Sequence, residues 1–494
     1  MKIISYSDLW KKNNSHKLIL IFGFIISWLT ISFAPESLEV LINKNIFTNN
    51  VMTNSRPNFF NIINLLRGLS TLIYLPILIF LLLKYVVWKK ITLKINIFFL
   101  ITIYLFSQLI GLFVDDYQNS TLSSNDFLQI YYLLNSFIYI LIVHLSLKIF
   151  DEKNFQIFFN IIFILLCLIF FIFSYKYFVN FFSGIENLYH SWGNSNKISS
   201  NLGFDIPRPT GLSRSALIII IILHTYYKIS INNKNLSIIF FSSIISVIFL
   251  LYSRGTFVMF FSFLVLYVLI NYNKINLFKY LMLFAIYPLL IGLFLSITKI
   301  GAIKYSHYVF EKNKLIKIND CNDKEDSSTL NCRNLAVEEN LVLKYLASNS
   351  DNYIKSIVRY QNKKDISSGR IQIWKDLITI NDNVFFGYGV NADRRLIGKN
   401  ASSLIMYTYI TSGIFGLLII TAFSLMTLYY AFLLILKFNK RNNTLYFEAC
   451  AYILIVLLIR SLFETSYGIF GIDFVLFTFC ALTVEKKMKK FSNK

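Results

Sequence analysis

Arginines set at the edges of apolar runs carry the chemistry that this sequence offers. Arg254 stands in Ser253-Arg254-Gly255, between two apolar runs and in an interval long enough only to reverse the chain. A guanidinium in such a place is costly unless it meets an anion or the water boundary. Two readings are open: bidentate recognition of phosphate oxygens, or snorkelling to lipid headgroups. Arg370 stands in Ser367-Ser368-Gly369-Arg370-Ile371-Gln372-Ile373-Trp374, where Ser367 or Ser368 can cap a helix whose first turn holds the arginine. Arg460 precedes Glu464 by one helical turn, the spacing of an intrahelical ion pair; the alternative is a contact to an anionic headgroup. Arg208 and Arg214 bracket Pro209-Thr210-Gly211, a fixed entry turn before an apolar run. They line an entrance for lipid phosphate or anchor the helix that follows. These five arginines are the candidate phosphate contacts.

A proton acceptor is harder to find. His190, His307 and Asp205 are the bases expected on the same side of the chain as these arginines, and His307 is the candidate catalytic base. Gly387-x-Gly389 would let backbone amides approach a ligand, but it does not open a dinucleotide-binding unit. Walker A, H-E-x-x-H, G-x-S-x-G and C-x-x-C patterns are absent from the sequence, so neither a metal nor a nucleotide cofactor is expected. Cys321 and Cys332 lie in the longest polar interval, as a disulfide or as two free thiols. Cys167, Cys450 and Cys480 fall in apolar runs and read as packing residues.

The elements that must position these residues are membrane helices. The chain is 56% hydrophobic and 15% charged, where a soluble domain carries about a quarter charged residues. The net charge of +22 does not imply nucleic-acid binding, because much of the excess lies in short loops and tails, where it orients helices. Apolar runs predict an all-α polytopic integral membrane protein of about 12 transmembrane helices. They lie near 17–34, 70–88, 95–114, 127–149, 155–177, 213–228, 236–252, 256–271, 278–298, 403–437, 446–464 and 467–484, with a short interfacial helix near 58–67. The first run is too long for a signal-peptide core and reads as a retained helix. Lys89, Lys90, Lys94, Lys153, Lys234, Lys274, Lys440 and Arg441 mark the loops that share a side with the termini, whereas 115–126 is acidic. The positive-inside rule therefore puts both termini in the cytoplasm and puts 35–69, 179–212, Arg254 and 299–402 outside it. Three parts follow: transmembrane helices over 1–298, a large extracytoplasmic loop over 299–402, and the last helices with a cytoplasmic tail over 403–494. In the loop, Ile371, Trp374 and Ile378 fall on one face of an amphipathic helix, with Ile373 and Leu377 beside them.

In this order the motifs resemble the O-antigen ligase and O-antigen polymerase superfamily. R-P-T-G (Arg208–Gly211) precedes a central helix, S-R-G (Ser253–Gly255) makes an outer turn, and a large late loop carries S-G-R-x-x-I-W-like residues and G-x-G before Gly413-Ile414-Phe415-Gly416. The resemblance spans roughly 200–480. It implies transfer of a glycan from an undecaprenyl-diphosphate carrier at the periplasmic face, with an acceptor hydroxyl attacking the anomeric carbon. The implied enzyme is an inverting, metal-independent glycosyltransferase, with Arg254 and Arg370 on the departing diphosphate. The ligase branch carries His-Asn where the helix before G-I-F-G begins; here the position is Ser402-Ser403, with Asn400 nearby. That departure favours the polymerase branch, a Wzy-type enzyme of the bacterial inner membrane that extends surface polysaccharide on lipid-linked repeat units. A chain-length regulator is its expected protein partner. The alternatives are a ligase moving glycan to lipid A core or protein, and a flippase of lipid-linked sugar. A transporter is expected to show charged or broken helices near the bilayer midplane, and the candidate charges here cluster at one face.

Overall fold

The computed structural model describes residues 14–32, 72–84, 96–119, 124–182, 209–228, 235–250, 254–271, 277–295, 297, 370–398, 400–438, 445–468 and 471–492. Among them every regular element is helical. In order these are α1 (Asn14–Ser32), α2 (Leu72–Lys84), α3 (Ile97–Asn119), α4 (Ser124–Ile149), α5 (Glu152–Phe182), α6 (Pro209–Thr225), α7 (Asn235–Leu250), α8 (Arg254–Asn271) and α9 (Leu277–Leu281). A π-helical turn, Met282–Ile286, continues α9 within the apolar stretch Met282–Leu295. After it come α10 (Arg370–Ile380), α11 (Ala392–Ile397), α12 (Leu404–Phe438), α13 (Leu445–Ser461), the 3-10 turn Ser466–Gly468 and α14 (Ile472–Ser492).

Apolar runs form helices here because lipid offers the backbone no partner, so each segment must bond internally. The few hydroxyls follow the same rule: Thr30, Thr102, Ser424 and Thr427 donate to the carbonyl four residues back at 2.6–2.9 Å. Within α3, α4, α5 and α12, the stretches Ile97–Val114, Gln129–Ile149, Asn154–Ile172 and Leu404–Leu436 are long and apolar enough to cross a membrane, and six shorter apolar helices accompany them. The chain is a multi-pass membrane protein. The interfacial helix expected near 58–67 and the loop from 299 to 369 lie outside the described residues, as do Cys321 and Cys332.

Three helices form the centre. The stretches Ala216–Leu223 of α6, Ala449–Leu457 of α13 and Phe474–Val484 of α14 are buried without interruption. Large apolar side chains such as Phe106, Phe171, Leu293 and Leu418 stay exposed on the outward faces, the belt expected against acyl chains. At the end of the bundle where α1, α3 and α5 begin, α14 acts as a fastener. Glu485 Oε1 accepts from Ile97 N–H at 3.1 Å, capping α3, and Lys487 and Lys490 donate to Glu152 at 2.9 and 3.0 Å. The lysine-rich segment read from sequence as a tail is therefore the last turns of a longer helix. Cys450 and Cys480 are buried packing residues, as their apolar context implied.

Candidate functional site

At the opposite end, the starts of α6, α8 and α14 meet the end of α13. In the last turn of α13, Arg460 Nε donates to Glu464 Oε2 at 3.0 Å, and Nη2 pairs with the same oxygen. Arg460 Nη1 pairs with Asp473 Oδ2, and Arg214 Nη1 donates to that oxygen at 3.0 Å. One carboxylate oxygen thus bridges two guanidiniums. Arg460 and Asp473 are buried, so removing Arg460 would leave Asp473 with Arg214 alone, and removing Asp473 would leave Arg460 with Glu464 alone. Ser213 of α6 and Thr256 of α8 share a hydrogen bond at 2.9 Å, which draws the start of α8 into the cluster. A Cβ added to Gly255 would lie 3.5 Å from Glu464 Oε1. Arg254, the residue that opens α8, adjoins Gly255 in the chain.

Helical spacing anticipated the Arg460–Glu464 pair. Asp473 was missed, although a lone acid entering the final apolar run is a signal of its own. Arg208, His307, His190 and Asp205 lie outside the described residues.

Beside this cluster, α10 and α11 lie over the start of α12. Trp374 Nε1 donates to Ala401 O at 2.7 Å. Leu377 is fully buried among Tyr388, Ala392, Ala401, Tyr407 and Ile410, with Ile373 packed against them, whereas Ile371 and Ile378 are half exposed at 53% and 51%. The buried face of α10 is therefore Ile373, Trp374 and Leu377. The expected Ile371–Ile378 face points away, because the underlying α11–α12 corner takes the side of the helix that carries Leu377. Arg370, the first residue of α10, is half-buried and makes no hydrogen bond or ion pair among the described residues. Asp393 accepts from Ala401 N–H at 2.7 Å and from Arg394 N–H at 2.9 Å. Burial raises its carboxyl above the ordinary aspartate value despite those donors and the Arg394 charge. The 3-10 turn joins this layer to the charged cluster: a Cβ on Gly468 would meet Leu404 and Tyr407, and Tyr104 on α3 donates to Gly468 O at 3.3 Å.

The G-x-G segment has a structural task. Gly413, at φ 60 and ψ −161, breaks α12. A helix break frees carbonyls before it and amides after it, and lipid cannot satisfy them. The stretch Val384–Gly389 does so: Tyr388 N–H and Gly389 N–H donate to Ile410 O and Thr411 O at 2.9 Å each, while Ile414 N–H and Phe415 N–H donate to Val384 O and Phe385 O at 2.8 and 3.3 Å. The two backbones approach so closely that a Cβ on Gly387, Gly389 or Gly413 would fall within 2.9 Å of neighbouring atoms; Gly111 of α3 is equally confined. These glycines admit backbone to backbone, where the sequence had suggested backbone to ligand.

The chain kinks at Gly413 between Leu404–Ser412 and the rest of α12, and an apolar groove of ≈ 910 Å³ lies between α8, α12 and α13. Phe257, Leu404, Ile405, Ser461 and Leu462 line it near the charged helix ends, and Val265, Leu428 and Phe432 farther along. Phe257 is two residues from Gly255, and Ser461 follows Arg460.

Among the described residues no cluster of His, Cys, Asp or Glu is placed to hold a metal ion. What the arrangement offers among the described residues is a charge-balanced cluster of two arginines and two acids beside a long apolar furrow.

The fold defines a multi-pass membrane protein. Residues 238–421 match the family described as O-Antigen ligase, a likeness that supports the O-antigen ligase and polymerase superfamily. The matched span runs from α7 past Gly413 and includes Arg254, Arg370, Gly387 and Gly389; Arg208, Arg214 and Arg460 fall outside it. Members of this family are glycosyltransferase-like enzymes that act on lipid-linked glycans. No curated protein and no solved structure matches the chain.

Proposed function

We propose that the chain is a polymerase of surface polysaccharide. It transfers a growing glycan from its undecaprenyl-diphosphate carrier to the non-reducing end of another lipid-linked repeat unit at the periplasmic face of the inner membrane. The observation that carries this reading is the apolar groove opening beside the helix ends that bear Arg254, Arg214 and Arg460. A polyprenyl chain lies along α8, α12 and α13, and its diphosphate rests at the start of α8. Arg254 and Arg370 stabilise the charge that develops on the departing diphosphate, where donors held in place act without reorganisation. Termini in the cytoplasm and the interval 299–402 in the periplasm follow from the distribution of Lys and Arg in the short loops.

The ligase reading has one observation of its own, the family description. Against it stands the start of α12. The position that holds histidine in the ligase branch is Ser402-Ser403, where Ser402 takes a left-handed φ of 54 and Ser403 is buried. Deletion of the gene decides between the two. Surface polysaccharide reduced to a single repeat, with no ladder on a gel, is the polymerase outcome. Accumulation of lipid-linked polymer with no surface-attached repeats overturns it in favour of the ligase. In the complemented strain, Arg254→Ala and Arg370→Ala should each abolish the ladder while the protein stays in the membrane; full ladders from both would remove these arginines from the site.

A further inference from the structure

We infer that Glu464 is the general base that activates the acceptor hydroxyl, an assignment that rests on the glycan-transfer reading above. An inverting transfer needs a proton acceptor beside the attacking oxygen, and the start of α12 supplies no histidine. The carboxylates at this end differ in what their oxygens can still do. Asp473 is buried, and its Oδ2 is taken by Arg214 and Arg460. Asp393 is buried, with one oxygen on Arg394 N–H and the other on Ala401 N–H. Asp376, on α10, accepts from Gln372 Nε2 at 2.8 Å, and neither it nor Asp382 in the turn that follows lines the groove.

Glu464 alone combines access, a free oxygen and the right neighbours among the described residues. Its side chain is 28% exposed. Arg460 holds Oε2 through Nε and Nη2, which fixes the plane of the carboxylate. Oε1 takes no donor among the described residues and lies 3.5 Å from where a Cβ on Gly255 would stand. Leu462, two residues away, lines the groove. A diphosphate at the start of α8 therefore brings the anomeric carbon of its glycan to the neighbourhood of Oε1.

The step balances without a cofactor. Oε1 accepts the proton of the acceptor hydroxyl as that oxygen bonds to the anomeric carbon. The bond from that carbon to the phosphate oxygen breaks, and its electron pair leaves with undecaprenyl diphosphate. The protonated carboxyl then returns its proton to water.

The test uses the full chain in lipid nanodiscs with an undecaprenyl-diphosphate-linked repeat unit, comparing wild type with Glu464→Gln and Glu464→Asp. Glutamine retains an oxygen for Arg460 but cannot accept the proton. Transfer to the sugar hydroxyl should fall about 100-fold or more in Glu464→Gln, the usual worth of a general base, and recover in part in Glu464→Asp. Azide is a nucleophile that arrives deprotonated, so the Gln variant should still release glycosyl azide at a rate near wild type. Hydroxyl transfer by the Gln variant within threefold of wild type overturns the assignment. Loss of the hydroxyl and azide reactions together also overturns it, because Glu464 would then be holding Arg460 and the fold. A wild-type protein that neither transfers glycan nor forms the azide sinks the transferase reading itself, and this assignment with it.

Discussion

The arginines of this protein divide by what surrounds them. Arg460 spends its guanidinium on two carboxylates and is buried, whereas Arg370 is half-buried with no such partner among the described residues. Their substitutions should fail in different ways. Arg460→Ala leaves Asp473 in the interior with only Arg214, and breaking a buried pair on one side costs about 3–5 kcal/mol. The expected result is loss of folded protein from the membrane fraction, seen as a collapsed monodisperse peak after detergent extraction. Arg370→Ala should leave that peak unchanged and remove activity alone. The i,i+4 spacing made the first half of this contrast readable in the sequence. Asp473, 259 residues from Arg214, did not enter that reading, because no local pattern links the two.

At the scale of elements, the break in α12 decides the geometry. Helix interrupted in lipid must find partners for its freed backbone groups, and Val384–Gly389 supplies four such bonds. Gly413→Ala combines an unfavourable φ of 60 with a Cβ placed 2.2 Å from the Phe385 backbone. It should cost about 3 kcal/mol or more and abolish activity together with stability. Gly398→Ala is the informative comparison: φ is 65, but nothing lies within 4 Å of the added Cβ. Only conformational strain remains there, about 1 kcal/mol. Melting midpoints of the purified variants check the ranking, and equal midpoints would contradict it.

At the scale of the molecule, two ends do different work. One is fastened by α14, through Glu485 to α3 and through Lys487 and Lys490 to Glu152. The other gathers charged helix ends around the mouth of an apolar groove. Filling that groove tests its role without touching the charges. Val265 lines it and is 55% exposed, so Val265→Trp intrudes into the groove while leaving the core packed. The KM for a lipid-linked donor should rise about tenfold, the effect of 1.4 kcal/mol, with little change in the melting midpoint. An unchanged KM would place the lipid chain elsewhere.

Composition and apolar periodicity were enough to determine a multi-pass chain whose described elements are all helical, because a run of residues that cannot face water is a local property. Boundaries moved by a few residues, as with α5, which begins at Glu152 and ends at Phe182, past the expected 155–177. Only the tertiary structure decided which face of a helix packs: on α10, Leu377 goes inward and Ile371 outward. Both faces of α10 carry apolar residues, so its pattern cannot choose between them, and packing against the α11–α12 corner chooses instead. For the same reason Gly387, Gly389 and Gly413 could be seen in the sequence but not understood there. Their purpose exists only where two distant stretches of backbone come within bonding distance.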